Sequence, residues 1–450
     1  MTNAVRHGNS DRRSPLERML GLFTDVHRGE GSTVLALACN IFLILTAYYM
    51  IKPVREALIL SAPGGAELKS FASAGQALLL LLLVPAYGWL ASRVPRMRLI
   101  DSVTVFFACC LVGFYLLILA GFPLAIAFFL WVGIFNLMVP AQFWAFANDI
   151  YKPEAGKRLF VLVAFGASSG AVFGSFLANE MIHYVGVYEM LLLAAGLLVS
   201  TLLLSHWINR RELRSPAVEV SARAEEQIEK GNAFGFVFRN RYLLLLACVM
   251  LITNWVNSNG EYILGRIVKE AADAAALGPA AVNEDEFIAR FYSGYFGIVN
   301  LLGMLLQLLL VSRIIKYIGV PIAICLLPAI AFGSYATIMI LPALGVVRWV
   351  KTAENATDYS LQSTVNQVLY LPTTRTEKYK AKQAIDTFFV RAGDVCSAGL
   401  VLAGTHLFTF GVVDFAVATM ALSALWLLLS IRLGLRFRTL VPTKPGTFAS

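Results

Sequence analysis

Long apolar runs separated by short polar breaks set the terms for this chain, because each run has to leave water. Hydrophobic residues make up 58% of its 450 residues and charged residues only 14%, with a mean hydropathy of +0.70. A soluble domain carries roughly 25% charged residues. The excess of apolar side chain over the needs of one globular core points to lipid as the solvent. A bilayer core of about 30 Å takes about 20 apolar residues per helix. Twelve stretches meet that length: Thr33–Leu60, Ser70–Ser92, Leu99–Ala120, Phe122–Asn148, Leu159–Asn179, Val187–Ile208, Tyr242–Val268, Ile288–Val311, Val320–Leu341, Pro342–Leu371, Lys382–Leu407 and Phe410–Leu433. Lipid offers no partner to a backbone N–H or C=O, so helices are expected. None of the runs shows the ten-residue alternation of a membrane barrel.

The charge between the runs tests the count. One set of loops holds Arg93, Arg96 and Arg98, then Lys152, Lys157 and Arg158, then Arg210, Arg211 and Arg214, Arg313 with Lys316, and Arg375 to Lys382, together with both chain ends. The opposite set holds little basic charge beyond Lys69 and Lys269 and includes Glu284, Asp285 and Glu286. The positive-inside rule then places both ends in the cytoplasm, with the chain in the cell (inner) membrane. The same distribution accounts for the net charge of +9 without a nucleic-acid partner. No h-region with a small-residue cleavage site opens the chain, so a signal peptide is not expected.

Residues 209–241 are polar and divide the runs six and six. This gives a cytoplasmic tail (1–31), a six-helix half (32–208), a linker (209–241) with a short surface helix expected around Ala222–Lys230, a second six-helix half (242–433) and a C-terminal tail (434–450). The halves echo one another: "KRLFVLVAFGASSGAVFGSFLA" from Lys157 against "KQAIDTFFVRAGDVCSAGLVLA" from Lys382, and "REALIL" from Arg55 against "GEYILG" from Gly260. The expected fold is an all-α membrane protein of twelve transmembrane helices in two six-helix repeats, like the major-facilitator transporters.

Charge inside the runs marks the site. Lys52, Arg55 and Glu56 share one helical face, beside Pro53. An ionised residue at mid-bilayer costs about 2.5–3.5 kcal/mol on insertion scales, so these groups must face protein or water. The competing arrangement pairs Lys52 with Glu56 inside the helix and sends Arg55 outward to the interface. In the tenth run Arg348, Lys351, Asn355, Asp358, Gln362 and Asn366 form a polar stripe with Glu354 beside it. It lines either a wet cavity or a packed bundle interior. The seventh run adds Asn254, Asn257 and Glu261, and the eleventh adds Asp386, Arg391 and Asp394. Gly166, Gly170 and Gly174 have the spacing of a packing face. Lys52, Arg55, Arg348, Lys351 and Arg391 are candidate anion ligands, with Glu56, Asn257, Glu261 and Asp358 beside them. Some of the acids must pair with these cations, and such pairs can work as gates.

Other classes of function find no support. There is no GxxxxGK[ST] and no Gly-rich nucleotide fingerprint, so neither a P-loop ATPase nor a dinucleotide enzyme is indicated. The six cysteines lie in apolar runs without a CxxC pair, and the five histidines are scattered, so neither a metal nor a cofactor is expected. No nucleophile–base set shows in the spacing. The chain reads as a secondary carrier rather than an enzyme.

Four stretches resemble the ATP/ADP antiporters of plastids and intracellular bacteria: "IKPVREALILSAPGGAELKSF", "QFWAFANDIYKPEAGKRLF", "NSNGEYILGRIVK" and "DYSLQSTVNQVLYLPTTRTEKYKAKQAIDTFFVRAGD". The resemblance implies a major-facilitator-like fold and exchange of ATP for ADP or related phosphorylated anions. It sets Lys52, Arg55 and Glu56 on that family's first-helix charges and Glu261 on its seventh-helix acid. Asp358, Asn366 and Gln367 stand where basic or acidic residues of the pattern are expected, and only Gly133 stands near its fourth-helix glutamate. The other readings are a proton-coupled carrier of a small organic anion, with Glu261 or Asp358 carrying the proton, and a non-transporting scaffold or sensor. A monomer is expected.

Overall fold

The computed structural model describes residues 15–21, 24–27, 29–151, 153–213, 233–279, 282–373 and 381–440. The surface helix expected around Ala222–Lys230 lies outside these residues. The described part is helical, and no strand occurs in it.

Helices α1 (Gly31–Leu60), α2 (Gly65–Ala91), α3 (Arg96–Leu119), α4 (Ala125–Ile150), α5 (Pro153–Val185) and α6 (Met190–Leu213) form the first half. The second half comprises α7 (Arg241–Ala276), α8 (Glu284–Leu306, continuing to Tyr317), α9 (Val320–Ile340), α10, α11 (Ala381–His406) and α12 (Val412–Leu440). Eleven of the helices are long and apolar enough to cross a membrane. The twelfth is α10, which runs as Leu344–Thr357, a π-helical turn Asp358–Gln362, and Ser363–Val368. Its polar stripe makes it less apolar than the others, while the alternation of loop charge still requires it to cross. Helix α12 continues to Leu440, past the Leu433 expected, because its last turns carry Arg436 and Arg438 into the polar zone.

Packing repeats between the halves. Helix α1 packs on α4, α5 and α6, and α3 packs on α6; in the same way α7 packs on α10, α11 and α12, and α9 packs on α12. The halves meet along α2 with α7 and α11, and along α8 with α1 and α5. These pairs exchange under a two-fold relation between the repeats.

Glycine sets the closest approach. A Cβ at Gly166, Gly170 or Gly174 of α5 would stand 2.4–2.6 Å from the carbonyl oxygens of Ala38, Phe42 and Thr46 on α1. Gly393 of α11 makes the equivalent approach to Leu251 and Trp255 of α7. The outward surface is apolar, with Leu82, Phe106, Leu203 and Leu428 largely exposed. In water this would be an aggregation hazard, and in lipid it is the expected contact surface.

Candidate functional site

Polar side chains from both halves converge on a cavity of about 270 Å³. Helices α1, α2 and α4 line it from the first half and α7, α8, α10 and α11 from the second. Five of the nine candidate ligand residues reach it, Lys52, Arg55, Asn257, Glu261 and Arg391, and so do Asn355 and Asp394.

The charge cluster of α1 is arranged otherwise than either expectation. Glu56, fully buried, pairs with Arg55 beside it and not with Lys52. Its other oxygen lies 2.8 Å from Lys69 Nζ of α2. Arg55 therefore does not turn outward to the interface; its guanidinium stays on Glu56 and over the Phe129 ring, 4.7 Å from the centroid. Lys52 forms no ion pair among the described residues. Its ammonium sits 3.7 Å from the centroid of the Phe296 ring of α8, a cation–π contact across the two halves.

Lys69 is the group that sequence reasoning missed. Its place next to a short polar break made it look like a loop charge. Helix α2 starts at Gly65, earlier than the Ser70 expected, so Lys69 lies within the helix and points inward, buried at 5% exposure. It also reaches Glu261 Oε2 of α7 at 3.5 Å. Glu261 Oε1 in turn accepts from Asn355 Nδ2 at 3.1 Å, and Asn355 donates to the Tyr295 hydroxyl at 2.8 Å. On α11, Arg391 pairs with Asp394 at 3.4 Å, while Asp394 accepts from Asn254 and Ser258 at 2.8 and 2.6 Å.

Three of the expected residues lie away from the cavity. Lys351 is fully buried behind it, 2.8 Å from Glu354, and Tyr335 of α9 donates to the same carboxylate at 3.3 Å. Gly260 makes room for this group: a Cβ there would fall 2.2 Å from the Tyr335 hydroxyl and 2.5 Å from Lys351 Nζ. Arg348 packs over Phe291, 5.7 Å from its centroid. Asp358 opens the π-helical turn of α10, and the extra residue per turn there rotates the stripe. Of the stripe, Asn355 reaches the cavity, joined by Tyr359. Gly133, at the position where an acid was expected, leaves its space to Gln76, whose side chain would collide with any Cβ there and which lines the cavity.

With Lys69 included, the cavity and its Glu56 counter-ion hold four cations against three carboxylates, one unit of positive charge.

The two ends of the molecule differ. At the end bearing residues 61–64, 277–279 and 282–284 the halves are tied together. Asp285 of α8 accepts from Ser61 and, at 2.5 Å, from Tyr188, and Tyr262 of α7 donates to Glu67 of α2 at 2.9 Å. At the opposite end the polar contacts among the described residues stay within one half: Arg158 with Glu30, Arg96 with Asn209 and Asp149, Tyr370 with Asp386, Lys382 with Gln367. The cavity is roofed at the first end, and among the described residues no cross-half bond closes it at the second.

Comparison with known proteins agrees with this architecture. The chain is 24% identical to ADP,ATP carrier protein 1 of Chlamydia trachomatis, over 94% of this chain and 92% of that one. It is 23% identical to ADP,ATP carrier protein 1 of Chlamydia pneumoniae, over 94% and 95%. Among solved structures, a bacterial homolog of the human lysosomal transporter Spinster, in an inward-facing and unoccupied conformation, superposes with a TM-score of 0.60 at 14% identity, covering 93% of this chain and all of that one. Residues 37–353 match the family model of the Major Facilitator Superfamily, so that the paired six-helix halves, the cavity between them and the sequence profile together make this chain a member of that superfamily.

Proposed function

We propose that this transporter exchanges adenine nucleotides, or closely related phosphorylated anions, by alternating access. The observation that carries the reading is the cavity between the halves, where Lys52, Arg55 and Lys69 gather on one side and the lining with Glu56 keeps an excess of positive charge. Lysine and arginine both suit phosphate, arginine as a two-pronged fork. The likeness to the chlamydial ADP,ATP carrier proteins, sustained over nearly the whole chain, supports the same cargo class.

The basic loops support a cytoplasmic location for both ends in the cell membrane, which makes the roofed end the outer one and the present conformation inward-facing. One chain supplies every wall of the cavity, which supports action as a monomer, and the basic excess in the loops calls for no nucleic acid. Asn257, Glu261, Arg391 and Glu56 serve as cargo or counter-ion ligands, while Lys351, Arg348 and Asp358 act from behind the wall, as rearranging partners along α10.

Counterflow in proteoliposomes tests the reading. Labelled ATP is expected to enter liposomes loaded with ADP at least about tenfold faster than empty ones, a difference of roughly 1.4 kcal/mol in the barrier. Uptake abolished by a protonophore would indicate proton coupling instead, and no flux with any loaded phosphorylated anion would overturn the proposal.

A further inference from the structure

Two cations of the cavity, Lys52 and Arg55, come from one helix, and the carboxylate held by Arg55 moves with that helix. Lys69 is placed differently. Its bond to Glu56, 2.8 Å, lies within its own half; its bond to Glu261, 3.5 Å, crosses to the other. It therefore links carboxylates of both halves just beneath the roof. The roof is tightly packed at this point: a Cβ at Gly265 of α7 would stand 3.2 Å from the Leu60 side chain and 3.9 Å from that of Lys69. Glu261 keeps a second partner in its own half, Asn355 at 3.1 Å, and can give up Lys69 without being left bare.

We infer that Lys69 is a cargo-binding cation for which Glu261 stands in while the cavity is empty. The inference rests on the reading of the cavity as an anion-exchange site. A phosphate oxygen entering between Lys52 and Lys69 takes the place of the Glu261 carboxylate at the ammonium. Glu261 then falls back on Asn355, and the ionic tie between α2 and α7 is gone. With no cargo the tie persists and holds the outer end shut. The empty carrier thus cannot reopen its outer end, and cargo enters from that side only when another cargo leaves, without a separate gate.

Uptake of labelled ADP from the roofed side by right-side-out proteoliposomes, with and without ADP inside, reads this directly. The wild-type chain is expected to show uptake stimulated about tenfold or more by internal ADP. Lys69→Met is expected to raise the unpaired uptake, bring the stimulation ratio close to one and weaken half-saturation by about tenfold, as loss of one charged contact implies. Lys69→Arg restores most of the ratio, and Glu261→Gln raises unpaired uptake. A second readout needs no cargo. Spin labels at Ala62→Cys and Leu277→Cys, in a chain whose six native cysteines are replaced, should move apart in ADP-free Lys69→Met and in ADP-free Glu261→Gln. Normal affinity, a normal stimulation ratio and unchanged spin distances in both variants would overturn the inference. If the wild-type chain exchanges no ADP yet the cargo-free distances lengthen in both variants, the nucleotide reading has failed and the latch stands.

Discussion

At the scale of single residues, the energetics turn on buried charge. Lys351 and Glu354 lie within the membrane-spanning bundle, almost without exposure, and are each other's principal counter-ion. Breaking such a pair from one side costs about 3–5 kcal/mol, whereas replacing both partners with apolar groups is close to neutral. Lys351→Met is therefore expected to lower the thermal midpoint in detergent markedly, and the Lys351→Met, Glu354→Leu double variant to recover most of it. A single variant as stable as the wild type would mean that the pair contributes nothing. Residues of this kind show how far the sequence speaks for itself. Lys52, Arg55 and Glu261 were legible because a charge at helical spacing in an apolar run has few places to go. Lys69 was not, since a lysine beside a polar break is usually a loop residue and only the true start of α2 turns it inward. Asp358 was assigned to the cavity because periodicity assumes an unbroken α-helix, and the π-helical turn that begins there breaks the register.

Helices add a second kind of constraint, that of backbone approach. The three glycines of α5 let its backbone lie against α1, and they were readable as a packing face from their spacing alone. Gly170→Leu would drive a side chain into the Phe42 carbonyl, where even a Cβ stands at 2.4 Å. Overpacking of this kind costs about 1–3 kcal/mol, and the first half is expected to lose folded yield on size exclusion. Gly196→Ala in α6, with nothing within 4 Å of the new Cβ, is expected to be neutral or to stabilise by about 0.5–1 kcal/mol. Equal behaviour of the two variants would show that α1 and α5 do not need their close contact. Helix α10 marks the limit of hydropathy as a guide: its polar stripe weakens the apolar signal of a crossing that the alternation of loop charge supports independently.

For the whole molecule, the distribution of cross-half bonds decides which state is populated. Asp285 alone accepts from Ser61 and Tyr188 of the opposite half. Hydrogen bonds to a charged group contribute about 1.5–3 kcal/mol each. Asp285→Ala should therefore raise the population open at the roofed end by at least about tenfold, visible as longer distances between labels at Ala62 and Leu277. Unchanged distances would show that the roof is held by packing and not by these bonds.

A vessel latched at one mouth waits at the other. A latch of this kind keeps the cargo-free chain presented to one compartment, and the scarce opposite form sets how it is perceived from across the bilayer. Apparent dissociation constants scale inversely with the competent fraction. The same nucleotide should thus bind weakly when offered from the latched side and tightly from the free one, though every contact inside is identical.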